Sequence, residues 1–122
     1  IDEIPILSIA ASFALGKTNI TNASELRVKE SDRLNAISEG LTKIGAEHKI
    51  FEDGISIYGS LNTICSSIKI NSYGDHRIAM SFLVAGIRSN NGIKVENCKN
   101  IETSFPNFKE TMNSLGANII EE

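Results

Sequence analysis

Asp75-His76-Arg77-Ile78-Ala79-Met80-Ser81-Phe82-Leu83-Val84-Ala85 sets three ionisable residues ahead of a stretch whose only polar member is Ser81. A helix made from Ile78 to Ala85 has no wet face, and such a helix is expected to be buried all round. Ile4 to Leu15 reads the same way, with Ser8 and Ser12 as its polar positions. The strand-like stretches behave differently. His48 to Phe51 and Ile55 to Tyr58 alternate around Asp53-Gly54, a two-residue hairpin signal, and Ser66 to Ile70 puts Ile68 and Ile70 on one face. Alternation means one exposed face, so the strands belong outside and the helices inside. The expected class is α/β (α+β), inside-out, with buried helices, parallel if their N-termini meet at one end, and sheets around them.

The chain also repeats itself. Leu34, Ile37, Leu41 and Ile44, followed by Gly45-Ala46, recur 71 residues later as Phe105, Phe108, Met112 and Leu115, followed by Gly116-Ala117. Asp2 leads through the apolar Ile4 to Leu15 to a strand at Asn19 to Asn22; Asp75 leads through Ile78 to Ile87 to a strand at Lys94 to Asn97. Fixed offsets are the mark of a duplicated unit. Two units, roughly 1–59 and 60–122, are expected, each reading apolar helix, strand, amphipathic helix, strand. Gly45 and Gly116 fit the left-handed position that closes a helix. The intervening linkers are short, so no domain boundary is expected.

Bulk properties narrow the function classes. At 122 residues, 41% hydrophobic and 22% charged, the composition is that of one globular domain. The net charge of −3, with scattered basic residues, argues against nucleic acid. The longest uncharged runs, Ile4 to Gly16 and Ile78 to Ile87, are too short for a bilayer, and no signal peptide opens the chain. Cys65 and Cys98 form no CxxC and no secreted framework, so reduced thiols and a cytoplasmic location are expected. With two distant histidines no metal site is expected, and His48 is read as exposed. Ile1 in place of Met, with Asp2 already at a helix mouth, suggests a chain cut from something longer.

Three polar clusters each open an apolar segment: Ile1-Asp2-Glu3, Lys29-Glu30-Ser31-Asp32-Arg33 and Asp75-His76-Arg77. Helix N-termini expose free N–H groups and partial positive charge, so such clusters gathered at one end would receive a small anion. Plainer roles exist. Asp2 and Asp75 could be N-caps worth about 1 kcal/mol each, and Glu30 with Arg33 an i, i+3 surface pair. Two points favour function. The repeat replaces Lys29, Glu30, Asp32 and Arg33 by Asn100, Ile101, Thr103 and Ser104, so the scaffold does not need the charges. His76 and Arg77 also precede a buried helix, where unpaired charge costs several kcal/mol that a bound anion would relieve.

LRVKESDRL (Leu26 to Leu34) and YGDHRIAM (Tyr73 to Met80), with IDEIP (Ile1 to Pro5) and SFPNF (Ser104 to Phe108), resemble the 5-enolpyruvylshikimate-3-phosphate synthase family. Order and spacing match along essentially the whole chain, which resembles only the C-terminal part of that two-domain enzyme. The resemblance implies an inside-out barrel-type domain of repeated units. It implies transfer of the enolpyruvyl group of phosphoenolpyruvate to the 5-hydroxyl of shikimate 3-phosphate, by addition and then elimination of phosphate, in aromatic amino acid biosynthesis. Asp2 matches the base for that hydroxyl, Glu30 the acid/base at the methylene carbon, and Lys29 a catalytic contact to the shikimate hydroxyl and bridging region. Arg33 and Arg77 match the pair that holds phosphoenolpyruvate, and His76 a hydrogen-bond donor beside them. No cofactor is implied. The missing partner is the N-terminal domain of the same enzyme, so the 122 residues alone are expected to be inactive. One departure stands out: Thr103-Ser104 precede Phe105-Pro106 where many members carry a lysine. A UDP-N-acetylglucosamine enolpyruvyl transferase-like domain and a non-catalytic anion-binding module are the alternatives.

Overall fold

A computed structural model of the chain describes residues 3–60, 68–89, 92–99, 101 and 105–121. The first apolar run forms α1 (Ile4–Ser12), with Pro5 in its first turn, where a missing N–H is tolerated. There follow β1 (Gly16–Ile20), a 3-10 turn (Ser24–Val28), α2 (Arg33–Ile44), β2 (Glu47–Phe51) and β3 (Gly54–Gly59). Then come β4 (Ile68–Asn71), α3 (His76–Ala85), a 3-10 turn (Gly86–Arg88), β5 (Ile93–Glu96) and α4 (Phe108–Ser114).

The strands make two sheets. One is antiparallel in the order β1-β3-β2, with Ile20 and Ile50 both opposite Ile55. In the other, β4 and β5 run parallel, Ile68 beside Ile93 and Ile70 beside Val95, joined by α3 as the crossover. The β2–β3 turn falls on Glu52-Asp53, since Phe51 pairs with Gly54, one position earlier than Asp53-Gly54 predicts. Gly54 is held in the strand because a Cβ there would stand 1.9 Å from the Ile20 carbonyl oxygen of β1. Ile68 and Ile70 are both buried, as the alternation predicts.

The helices meet one another and each lies over a sheet: α1 on α3 and β3, α2 on β2 and β4, α3 on β5. α2 and α3 run in the same direction, because their starts touch through Ser31 and Asp75 while Gly40 faces Phe82 further along both. At the other end, Arg88 lies over the Phe13 ring at 4.9 Å, so α1 also ends where α3 ends. Ile9, Ile37, Leu41, Ile55, Ile57, Ile78 and Phe82 fill the core between them. The α2 repeat positions Leu34, Ile37 and Leu41 are at most 1% exposed, and Gly45 closes the helix at φ 82° in the left-handed region.

Three expectations are corrected. α1 is not buried all round: Ile6 is 38% and Leu7 50% exposed, because nothing among the described residues covers the side away from α2, α3 and β3. In α4, Phe108 is buried but Leu115 is 77% exposed, so its apolar face is only partly used. After Gly116 the described chain is irregular rather than a strand. No described helix is long and apolar enough to cross a membrane.

Gly40 tests how tightly α2 and α3 fit. A methyl group there would fall 2.1 Å from Phe82 Cζ, and the Phe82 ring, 1% exposed, has nowhere to move. Overpacking costs about 1–3 kcal/mol and better helix propensity returns up to about 1 kcal/mol. Gly40→Ala is therefore expected to destabilise the chain by about 1–2 kcal/mol, read from the urea midpoint. A gain in stability would contradict this packing.

Candidate active site

The 3-10 turn ends at Lys29, whose backbone is extended, and residues 29–32 form the loop that enters α2. Asp32 caps that helix by accepting from the Asn35 N–H at 3.2 Å. Arg27 anchors the loop from below. Its Nε donates to the Glu52 carbonyl at 2.8 Å, Nη2 to the Phe51 carbonyl at 2.7 Å and Nη1 to Asp32 at 3.1 Å, tying the helix start to the hairpin turn. The second helix start is built on Asp75, which accepts from the Arg77 N–H at 2.9 Å and the Ile78 N–H at 3.4 Å. N-capping explains both aspartates locally.

What brings the two starts together is a buried ion pair. Arg33 is 1% exposed, and its Nε donates to Asp75 Oδ2 at 2.8 Å; Asp75 is 0% exposed. Ser31 Oγ donates to the same oxygen at 2.8 Å. On its outer side Arg33 Nη2 donates to Glu30 Oε2, and Glu30 is half exposed to solvent. Lys29, His76 and Arg77 are half-buried, and His76 brings a ring nitrogen within 4.8 Å of a Glu30 and an Asp75 oxygen. Burial alone would raise the Asp75 pKa and is the largest single influence on it. The bonds from Arg33 and Ser31, the Arg33 charge and the Arg77 N–H together outweigh it, and the carboxyl is held below its ordinary value of 3.8.

The Arg33–Asp75 pair thus joins the segment carrying Lys29, Glu30 and Arg33 to the helix start carrying His76 and Arg77. Asp2 and the Thr103-Ser104 pair lie outside the described residues, as does Cys65. The charge argument is corrected in one respect. The buried charge at the α3 start is Asp75, and Arg33 from the same chain neutralises it, so no ligand is needed for that purpose. Arg27 is not singled out by the sequence, and Ser31 and Asp75 are marked only as members of the polar clusters, Asp75 also as a cap. Their long-range partners stand 24 to 44 residues away, beyond any local pattern. His48 is half-buried rather than exposed: Nδ1 donates to the Ala46 carbonyl at 2.9 Å, leaving Nε2 to accept from Ser38 at 2.8 Å.

Glu30, Asp75 and His76 bring one potential metal-ligand atom each within 4.8 Å of one another. The Asp75 oxygens already accept from four donors, Ser31, Arg33, Arg77 and Ile78, which uses up a carboxylate's lone pairs. Asp75 is committed to hydrogen bonds within the chain. A half-exposed carboxylate beside a buried guanidinium can exchange protons with a bound molecule whose own anionic group replaces it on the arginine.

Comparison with known proteins places the chain in a family. The family model for EPSP synthase (3-phosphoshikimate 1-carboxyvinyltransferase) matches residues 1–112. The 3-phosphoshikimate 1-carboxyvinyltransferase of Vesicomyosocius okutanii is 51% identical over 119 residues, covering 98% of this chain and 27% of its own length. That of Campylobacter jejuni subsp. doylei is likewise 51% identical over 98% of this chain. A solved EPSP synthase from Acinetobacter baumannii superposes with a TM-score of 0.89 at 43% identity, over 95% of this chain and 27% of that one. The chain spans about a quarter of the length of these relatives. With half its residues identical and the same path in space, it belongs to the EPSP synthase (3-phosphoshikimate 1-carboxyvinyltransferase) family.

Proposed function

We propose that this chain supplies part of the active site of a transferase that moves the enolpyruvyl group of phosphoenolpyruvate to the 5-hydroxyl of shikimate 3-phosphate, releasing phosphate. The observation that supports this reading is the buried Arg33–Asp75 pair, which joins the segment carrying Lys29 and Glu30 to the start of α3, where His76 and Arg77 stand, in a chain of that family.

Arg33 and Arg77 hold the carboxylate and phosphate of phosphoenolpyruvate, planar guanidinium forks suiting both groups. Asp2 takes the proton of the 5-hydroxyl as the hydroxyl oxygen adds to the phosphate-bearing enol carbon of phosphoenolpyruvate. Glu30 gives a proton to the methylene carbon and later removes one as phosphate leaves. Lys29 and His76 donate hydrogen bonds to the bridging oxygens. Residues 1–59 and 60–122 act as two repeated units of an inside-out α/β substrate-binding domain, supported by the 71-residue offset between the apolar positions of α2 and those around α4. The rest of the site, including further basic residues, comes from the N-terminal domain of the enzyme, in the cytoplasm. The relatives described above are named for the shikimate reaction, so the UDP-N-acetylglucosamine alternative has no support from them.

The test has two arms. The 122-residue chain by itself is expected to give no measurable product. The same chain, exchanged for the matching segment of the Acinetobacter baumannii EPSP synthase, is expected to support phosphate release from phosphoenolpyruvate that depends on shikimate 3-phosphate. Turnover by the chain alone, or none by a folded exchange protein, would overturn the proposal.

A further inference from the structure

We propose, resting on the reading just given, that Asp75 and Ser31 are positioning residues that set the angle at which Arg33 presents its guanidinium to the substrate anion. The α3 start orients Asp75: one carboxylate oxygen is fixed by the Arg77 and Ile78 N–H groups. The other oxygen then has a determined place, and both Arg33 Nε and Ser31 Oγ donate to it, each at 2.8 Å. The bond at Nε restrains the planar guanidinium from turning about its Cδ–Nε bond, and so fixes where Nη2, the edge on which Glu30 now sits, faces. Ser31 lies two residues before Arg33 in the same loop and 44 residues from Asp75, so its hydroxyl ties the loop carrying Lys29 and Glu30 to the α3 start.

Burial is what makes this a positioning device rather than a surface contact. Arg33 and Asp75 have at most 2% of their side-chain surface exposed, so water cannot substitute for a lost partner. Neither Ser31 nor Asp75 needs to touch substrate. Misplacing a binding group by an ångström costs as much as about 10²-fold in rate.

Two variants separate orientation from folding. Asp75→Asn can keep its oxygen on the Arg77 and Ile78 N–H groups, since asparagine caps helices as well as aspartate does. Its amide NH2 then faces Arg33 Nε and Ser31 Oγ, which lose their acceptor. Ser31→Ala removes one donor and changes no charge, and Ser31→Thr restores the hydroxyl. In the exchange protein, Asp75→Asn is expected to raise the KM for phosphoenolpyruvate about tenfold or more, with the KM for shikimate 3-phosphate within about threefold of the parent. Ser31→Ala is expected to raise the first constant by about threefold or more, and Ser31→Thr to return it to within about twofold.

A second readout uses the 122-residue chain without turnover. The Arg33 Nε proton, followed by 15N NMR, is expected to be protected from solvent exchange in the parent and in Ser31→Thr, and to exchange faster in Asp75→Asn and Ser31→Ala. The proposal is overturned if both KM values rise together, if neither moves, or if Nε exchange is unaffected. If the unsubstituted exchange protein is folded and inactive, the functional reading fails instead, and the Nε exchange rates alone decide whether Asp75 and Ser31 fix the guanidinium.

Discussion

Glu30→Gln in the exchange protein is expected to lower kcat by about 10²–10⁴-fold while the protein stays folded. The reasoning starts from exposure. Glu30 is the member of the ion-pair cluster open to solvent, with 53% of its side chain accessible, whereas Arg33 and Asp75 beneath it are enclosed. Only a group that can reach a bound carbon can give it a proton and take one back. Glutamine keeps the size and an oxygen that can accept from Arg33, so the fold loses little, but it cannot carry the proton. Asp2→Asn is expected to fall in the same range, because it removes the base for the attacking hydroxyl. Steady-state phosphate release checks both, and a change under tenfold in either would remove that residue from its role.

The largest expected effect on stability is at Asp75. Asp75→Ala removes a helix cap, the acceptor for Ser31 and the counter-charge of a buried arginine in one step. Breaking a buried pair from one side costs about 3–5 kcal/mol, a large share of a typical domain's stability. Chemical denaturation should show it as a lower midpoint with an unchanged slope. Acid should show the same interaction. The Asp75 carboxyl binds its proton less readily folded than at its ordinary value of 3.8. Just below that value the unfolded chain therefore binds more protons than the folded one, and stability falls as pH falls. The contribution is fully present above about pH 4 and is lost as pH drops through the folded value. Asp75→Asn should flatten that acid limb. An equally steep limb in the variant would place the linkage on other carboxylates.

Local physics made much of this legible beforehand. The apolar period of α2 and its Gly45 stop are short-range features and stand where the pattern puts them, whereas the helix starts at Arg33 with Asp32 as its cap, two residues after the Ser31 start the pattern suggests. The β2–β3 hairpin was readable from alternation, but its turn moved by one residue because Gly54 is needed where β3 passes close to β1. Helix starts with clustered charge pointed to the two segments, at the starts of α2 and α3, that the Arg33–Asp75 pair joins. How those charges are satisfied was not legible. The Arg33–Asp75 pair joins positions 42 residues apart, and Arg27 reaches two hairpin carbonyls that no pattern marks. The exposed side of α1 was missed for a different reason: an apolar circumference records where a helix is meant to be buried, while Ile6 and Leu7 have no cover among the described residues.

The central claim is that the loop before α2 and the start of α3 form one anion-binding site. Residue-resolved NMR of the 122-residue chain titrated with phosphoenolpyruvate, with and without shikimate 3-phosphate, tests it most directly. Saturable shifts are expected at the backbone N–H groups of residues 30–34 and 75–78 together, with one shared dissociation constant, and they should weaken in Arg77→Ala. Shifts confined to only one of the two segments, or spread evenly over the surface lysines with no saturation, would contradict the account.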